Sequence, residues 1–137
     1  MRINRSAILA ILALGCGAGR DSGVAPVPDV RRVQTDGGTW TVSYVPDPDP
    51  IPGNQEFALD ITVADDAGPA SGTTIVLTAD MPDHGHGMNQ TPALTGSDGA
   101  FRAEGMLFHM TGRWRLLVDV TGDAGIETAE MWISCCE

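Results

Sequence analysis

Phe57-Ala58-Leu59-Asp60-Ile61-Thr62-Val63-Ala64 alternates large apolar residues with small or polar ones over eight positions. That period of two belongs to a β-strand with one buried face, since successive side chains point to opposite sides of a sheet. The same rhythm recurs on both sides. Thr39-Trp40-Thr41-Val42-Ser43-Tyr44-Val45 sets Trp40, Val42 and Tyr44 on one face, and the four prolines from Pro46 to Pro52 exclude regular strand after it. Asp65 to Gly72 reads as a turn, and Thr73 to Asp80 as the next strand with Ile75 and Leu77 inward. Met81 to Gly99 reads as one long loop. Phe101 and Ala103 open a short strand, Gly105 marks a bulge or bend, and Met106 to Thr111 continues it. Arg113 to Val120 alternates again, with Trp114, Leu116, Val118 and Val120 on one side, and Glu127 to Ile133 forms the last strand. No helical period follows the first fifteen residues. Six or seven short antiparallel strands over this span predict an all-β chain, an immunoglobulin-like antiparallel β-sandwich, with a cupredoxin-like small sandwich or closed barrel as the alternative.

The 137 residues suffice for one domain. Apolar residues make up 42%, which excludes a wholly disordered chain, and Gly 17 with Pro 9 agrees with many turns. Eight arginines, no lysine and 18 acids leave a formal charge of -10. Such a surface repels phosphate, so nucleic acid is not an expected partner, whereas cations are tolerated. No nucleotide-binding glycine motif and no HExxH zinc-protease motif is present.

The amino terminus reads as an address. Arg2 and Arg5 precede the apolar run Ala7 to Leu14, too short to span a bilayer and suited to a signal-peptide core over residues 1–15. Ala13-Leu14-Gly15-Cys16 resembles a bacterial lipobox, which implies cleavage and lipidation at Cys16. A lipid chain anchors through its buried methylenes, about 0.8 kcal/mol each. The expectation is a lipoprotein of the cell envelope facing the periplasm, with residues 16–38 as lipidated cysteine and flexible tether and 39–137 as the sandwich. Such a mature chain keeps six arginines against 18 acids, a formal −12.

All three histidines, and four of the five methionines beyond Met1, fall between Met81 and Met110. The loop Met81-Pro82-Asp83-His84-Gly85-His86-Gly87-Met88 is polar and glycine-rich, so it cannot bury these side chains by itself. Imidazole and thioether are ligands that suit copper: thioether is soft and holds Cu(I), and imidazole serves both oxidation states. Zinc gains little from methionine. The candidate metal ligands are His84, His86 and Met88 from the loop, with His109 and Met110 from the strand that follows. Met106 and Met81 read first as core filler. His109 is open to a second reading as an exposed strand histidine. Asp80 and Asp83 read as solvated charges or as acceptors for imidazole N–H groups. Trp114 reads as a core residue whose ring could also shield a metal from oxidants. Cys135-Cys136 is open to a vicinal disulfide, an intermolecular disulfide or free thiols. Serines and threonines are plentiful, yet none sits in a nucleophile elbow and no triad spacing occurs, so no enzyme is expected.

Asp80-Met81-Pro82, His84-Gly85-His86-Gly87-Met88, Gly99-Ala100-Phe101 and Leu107-Phe108-His109-Met110-Thr111-Gly112-Arg113-Trp114 together resemble the YtkA-like domain family, akin to FixH-like proteins. The resemblance covers roughly residues 38 to 134. It implies a small envelope β-sandwich associated with copper handling, with His84, His86 and Met88 on the family's loop and Phe108, Met110, Gly112 and Trp114 on its strand. His109 and Met106 are additions to the family pattern. The function expected from sequence is therefore a copper-binding domain that stores, delivers or buffers the ion, exchanging it with another envelope protein. The alternative is a protein-interaction sandwich without metal.

Overall fold

The computed structural model describes residues 31–136. The expected signal peptide, the lipidation site Cys16 and most of the expected tether lie outside the described residues. Ten strands follow one another: β1 (Arg32–Gln34), β2 (Thr41–Asp47), β3 (Glu56–Asp65), β4 (Gly68–Pro69), β5 (Thr74–Met81), β6 (His86–Gly87), β7 (Ala93–Ser97), β8 (Ala100–Leu107), β9 (Gly112–Gly122) and β10 (Gly125–Cys135). They form two antiparallel sheets, the first in the order β1-β2-β3-β8-β7 with β4 folded back on β3, the second in the order β10-β9-β5-β6. The chain is an all-β sandwich, as the alternation predicts.

The core lies where the alternating faces meet. Leu59, Ile61 and Val63 from β3 and Val42 and Tyr44 from β2 oppose Leu77, Ala79 and Met81 from β5 and Trp114, Leu116, Val118 and Val120 from β9, all buried. Burying a large apolar side chain contributes roughly 1.5–3 kcal/mol, so this double layer dominates stability. Gly105, at φ +76°, allows the predicted bulge: the register slips between Phe57 and Leu59, where two residues of β8 face Ala58 alone.

Four expectations need correction. Arg32–Gln34, assigned to the tether, pair with β2 as β1, and Thr35 is buried behind them. β2 runs on through Pro46, which pairs with Leu59 beyond the end of β1; β2 is a sheet edge there, where a proline is tolerated. The single loop from Met81 to Gly99 contains β6 and β7. The strand through Met106 ends at Leu107, and Phe108 to Thr111 instead carry the chain from the first sheet to the second.

Candidate metal centre

The β5–β6 hairpin is closed by the pairs Asp80↔Gly87 and Met81↔His86. Its turn is held by one acceptor: the Met81 carbonyl takes the N–H groups of His84 (3.0 Å) and Gly85 (2.9 Å). Gly85 sits at φ +71°, a conformation glycine adopts without strain, and this reverses the chain so that His86 returns to the sheet. His84 is exposed at the apex and His86 is half-buried. The Met81 side chain is locked in the core beneath them.

The second part comes from the β8–β9 connection. Trp114, fully buried at the start of β9, stacks on Phe108 with ring centres 4.5 Å apart and 8° between planes. Its indole Nε1–H donates to the Met110 carbonyl at 3.0 Å, and the Phe108 carbonyl accepts from the Asn54 N–H at 3.0 Å. These contacts fix the Phe108–Met110 backbone over the indole and set His109 against the hairpin.

Three imidazoles therefore lie in sequence across this end of the sandwich. The His84 and His86 ring centres are 5.9 Å apart, and those of His86 and His109 5.0 Å. Trp114 lies beside the last two, 6.0 Å from His86 and 5.5 Å from His109, in edge-to-face arrangements. A ring nitrogen bonds a first-row metal at about 2.0 Å, which puts the centres of two rings sharing an ion about 5–6 Å apart. Both spacings meet that condition. Among the described residues, no three His, Cys, Asp or Glu side chains stand in a geometry that would already hold an ion.

Two hydrogen-bonding facts bear on what these rings can do. His86 Nδ1 lies 3.2 Å from the Gly87 carbonyl. A carbonyl only accepts, so this contact favours the tautomer with the proton on Nδ1 and a lone pair on Nε2. His109 Nδ1 is buried and has no hydrogen-bond partner among the described residues. A buried polar atom without a partner costs roughly 1–3 kcal/mol, unless something else satisfies it.

The sulfur candidates separate. Met81 and Met106 are core residues, at 1% and 0% exposure, as the first reading of each expected. Met88 is half-buried; its N–H donates to the Ala79 carbonyl, and its side chain packs against the core in a shallow depression shared with Ala79, Gln90 and Pro92. Met110 is 38% exposed on the connection that carries His109. Asp80 does not serve an imidazole: its carboxylate takes two hydrogen bonds from Arg115, at 2.9 and 2.6 Å, across β5 and β9. The Asp80 carboxylate also raises the Arg115 pKa above its usual value. Asp83 is exposed in the hairpin turn. Cys135 and Cys136 are joined as a vicinal disulfide, and Cys135 lies opposite Gly112, at the same end of the second sheet as the β8–β9 connection.

The sequence singled out His84 and His86 and left Trp114 open to a shielding role, but nothing in it placed the indole beside His86 and His109. The available signal was Phe108 and Trp114 flanking a glycine, which lets two aromatic rings from one connection fold onto each other.

The family model for YtkA-like proteins matches residues 34–119, from the last residue of β1 to most of β9, and includes the hairpin and the connection. No curated protein and no solved structure matches the chain. With the larger part of its length under that match, the chain belongs to the YtkA-like family.

Proposed function

We propose that this domain binds copper between the β5–β6 hairpin and the β8–β9 connection, and that it stores, delivers or buffers the ion in the cell envelope. The observation that carries the reading is the buried, unpartnered Nδ1 of His109 on a ring 5.0 Å from that of His86. A metal ion is a partner that such a nitrogen accepts. His86 and His109 form the proposed centre, His84 closes on it from the turn apex, and Met110 and Met88 are the thioether candidates. Soft sulfur with imidazole favours Cu(I) without excluding Cu(II), while the poverty of carboxylate in the set disfavours magnesium and calcium. The role is uptake and exchange by replacement of one ligand with another, with no covalent chemistry on the protein. The acidic surface attracts cations and cationic groups.

The lipobox-like Ala13-Leu14-Gly15-Cys16 supports anchoring at Cys16 and a periplasm-facing position. No helix among the described residues is long and apolar enough to cross a membrane. The test is titration of the purified protein with Cu(I) against a competing chelator. Stoichiometric uptake that is lost on replacing His86 and His109 supports the reading, and the absence of uptake rejects it.

A further inference from the structure

The outer edge of β10 is a second feature with chemistry of its own. β10 pairs with β9 without a break from Gly125↔Gly122 to Cys135↔Gly112. On its other side the pairing stops early. Asp36 donates its N–H to the Thr128 carbonyl, and the Thr128 N–H goes to the Asp36 carboxylate. Beyond that, from Ala129 to Ser134, no main-chain partner occurs on this side among the described residues. β1 instead turns to β2 in the other sheet, and a groove of ≈ 590 Å³ opens between the sheets, lined among others by Arg32, Tyr44, Ile51, Glu130, Trp132 and Ser134. A regular edge without proline, lysine or bulge is a template for another strand, and proteins usually blunt such edges.

The charges around it are selective. The described residues include five arginines. Arg31 pairs with Asp49, Arg102 with Asp47, Asp60 and Glu104, and Arg115 with Asp80. Arg32 and Arg113 have no carboxylate partner among the described residues, and both stand at Trp132. Arg32 lines the groove with it, and the Arg113 guanidinium lies 4.4 Å from the centre of its ring. Trp132 is 44% exposed, and its Nε1–H donates to Glu130 at 3.0 Å, which orients the ring. On an otherwise acidic domain, the two uncompensated cations thus flank one exposed aromatic on one open strand edge.

We propose that this edge docks an extended acidic segment of a partner protein, added to the second sheet as a fifth strand beside β10. Main-chain hydrogen bonds to the outward-facing N–H and C=O groups of Glu130, Trp132 and Ser134 supply the attachment, and carboxylates on alternate residues of the segment meet Arg32 and Arg113. Glu130 repels an acid placed over it, so it sets the register in which the segment's charges fall to either side. A slot one strand wide suits a peptide. An anionic membrane needs a broad positive face, which the acids around this groove do not provide. Trp132, Arg115, Asp80 and Gly87 form one cross-strand row, so the docked segment, one strand beyond Trp132, lies about 19 Å from the hairpin residue next to His86. The inference does not depend on copper binding, and it puts a partner on the same sheet as the hairpin of the proposed centre.

The test uses the isotopically labelled whole protein. The probes are a short capped peptide of alternating Glu and Val, its Lys–Val counterpart, and vesicles of phosphatidylglycerol. The expected result is binding of the acidic peptide, with newly slowed amide exchange confined to Glu130, Trp132 and Ser134 and a shift of the Trp132 indole signal. Joint replacement Arg32→Gln and Arg113→Gln, both exposed and outside the core, should weaken that binding about tenfold while leaving the rest of the spectrum in place. Equal binding of the lysine peptide, protection elsewhere, an unchanged affinity in the double variant, or binding to vesicles alone would each overturn the proposal.

Discussion

The ring of His86, on β6, stands 5.0 Å from that of His109, on the connection that carries the chain from the first sheet to the second. Neither residue reaches the other through local chain geometry. The Met81 carbonyl shapes the hairpin from one side, and the Trp114 indole pins the connection from the other. The pair is a product of the sandwich topology, and its geometry depends on Trp114 staying in place.

Trp114 should therefore report on the centre. Copper bound between His86 and His109 should quench indole emission, because a redox-active ion beside the ring opens a non-radiative path. In Trp114→Phe, which keeps an aromatic against Phe108, the copper-dependent part of the quenching should largely disappear while Trp40 and Trp132 still emit. Trp114→Ala should cost about 3–5 kcal/mol of stability, read by denaturant unfolding.

The methionines should divide by burial. Met81→Leu and Met106→Leu replace core residues by a side chain of similar volume, so each should cost under about 1.5 kcal/mol and leave metal affinity unchanged. Met110→Ala, at an exposed site, should leave stability nearly unchanged and weaken Cu(I) binding severalfold. Chelator competition on the three variants, beside unfolding curves, separates the two effects.

Glu127 ties the turn before β2 to β10. Its carboxylate accepts from the Thr35 and Thr39 hydroxyls and the Thr39 N–H, which lowers its pKa from 4.5. The charged form is the one bound in the folded state. Its contribution is present above pH 4.5 and is lost as pH falls through the lowered folded value. Glu127→Gln should be less stable than the wild type at neutral pH, and the gap should close as pH falls from 4.5 through the lowered folded value. Unfolding curves across that range measure it. A gap that persisted at low pH would contradict this assignment. Gly37→Ala should disturb the same contact, because a Cβ there would overlap the Glu127 carboxylate.

Much of the fold is legible in sequence because half-buried strands must alternate. β3, β5, β9 and β10 each carry that pattern, and each was expected close to its observed place. β7 was missed because it is an edge strand exposed at every position, so nothing forces alternation on it. β6 is only His86–Gly87 and carries no apolar residue, while β1 is three residues with Val33 alone apolar. At the candidate centre, the single-residue spacing of His84 and His86 and the burial of Met81 and Met106 could be read from the loop and strand patterns. The approach of His109 could not, because it depends on where the chain crosses between sheets. The loss of Asp80 to Arg115 was equally hidden, since it follows from the register of β5 against β9.

The most direct test of the central claim is a Cu(I) competition titration of the wild type beside His86→Ala and His109→Ala. The proposed centre predicts one tightly held ion in the wild type, a loss of affinity of at least about tenfold in each variant, and a double variant little worse than either single one, as expected when two ligands share an ion. Equal affinity in all four proteins, or no retention by the wild type, would contradict it.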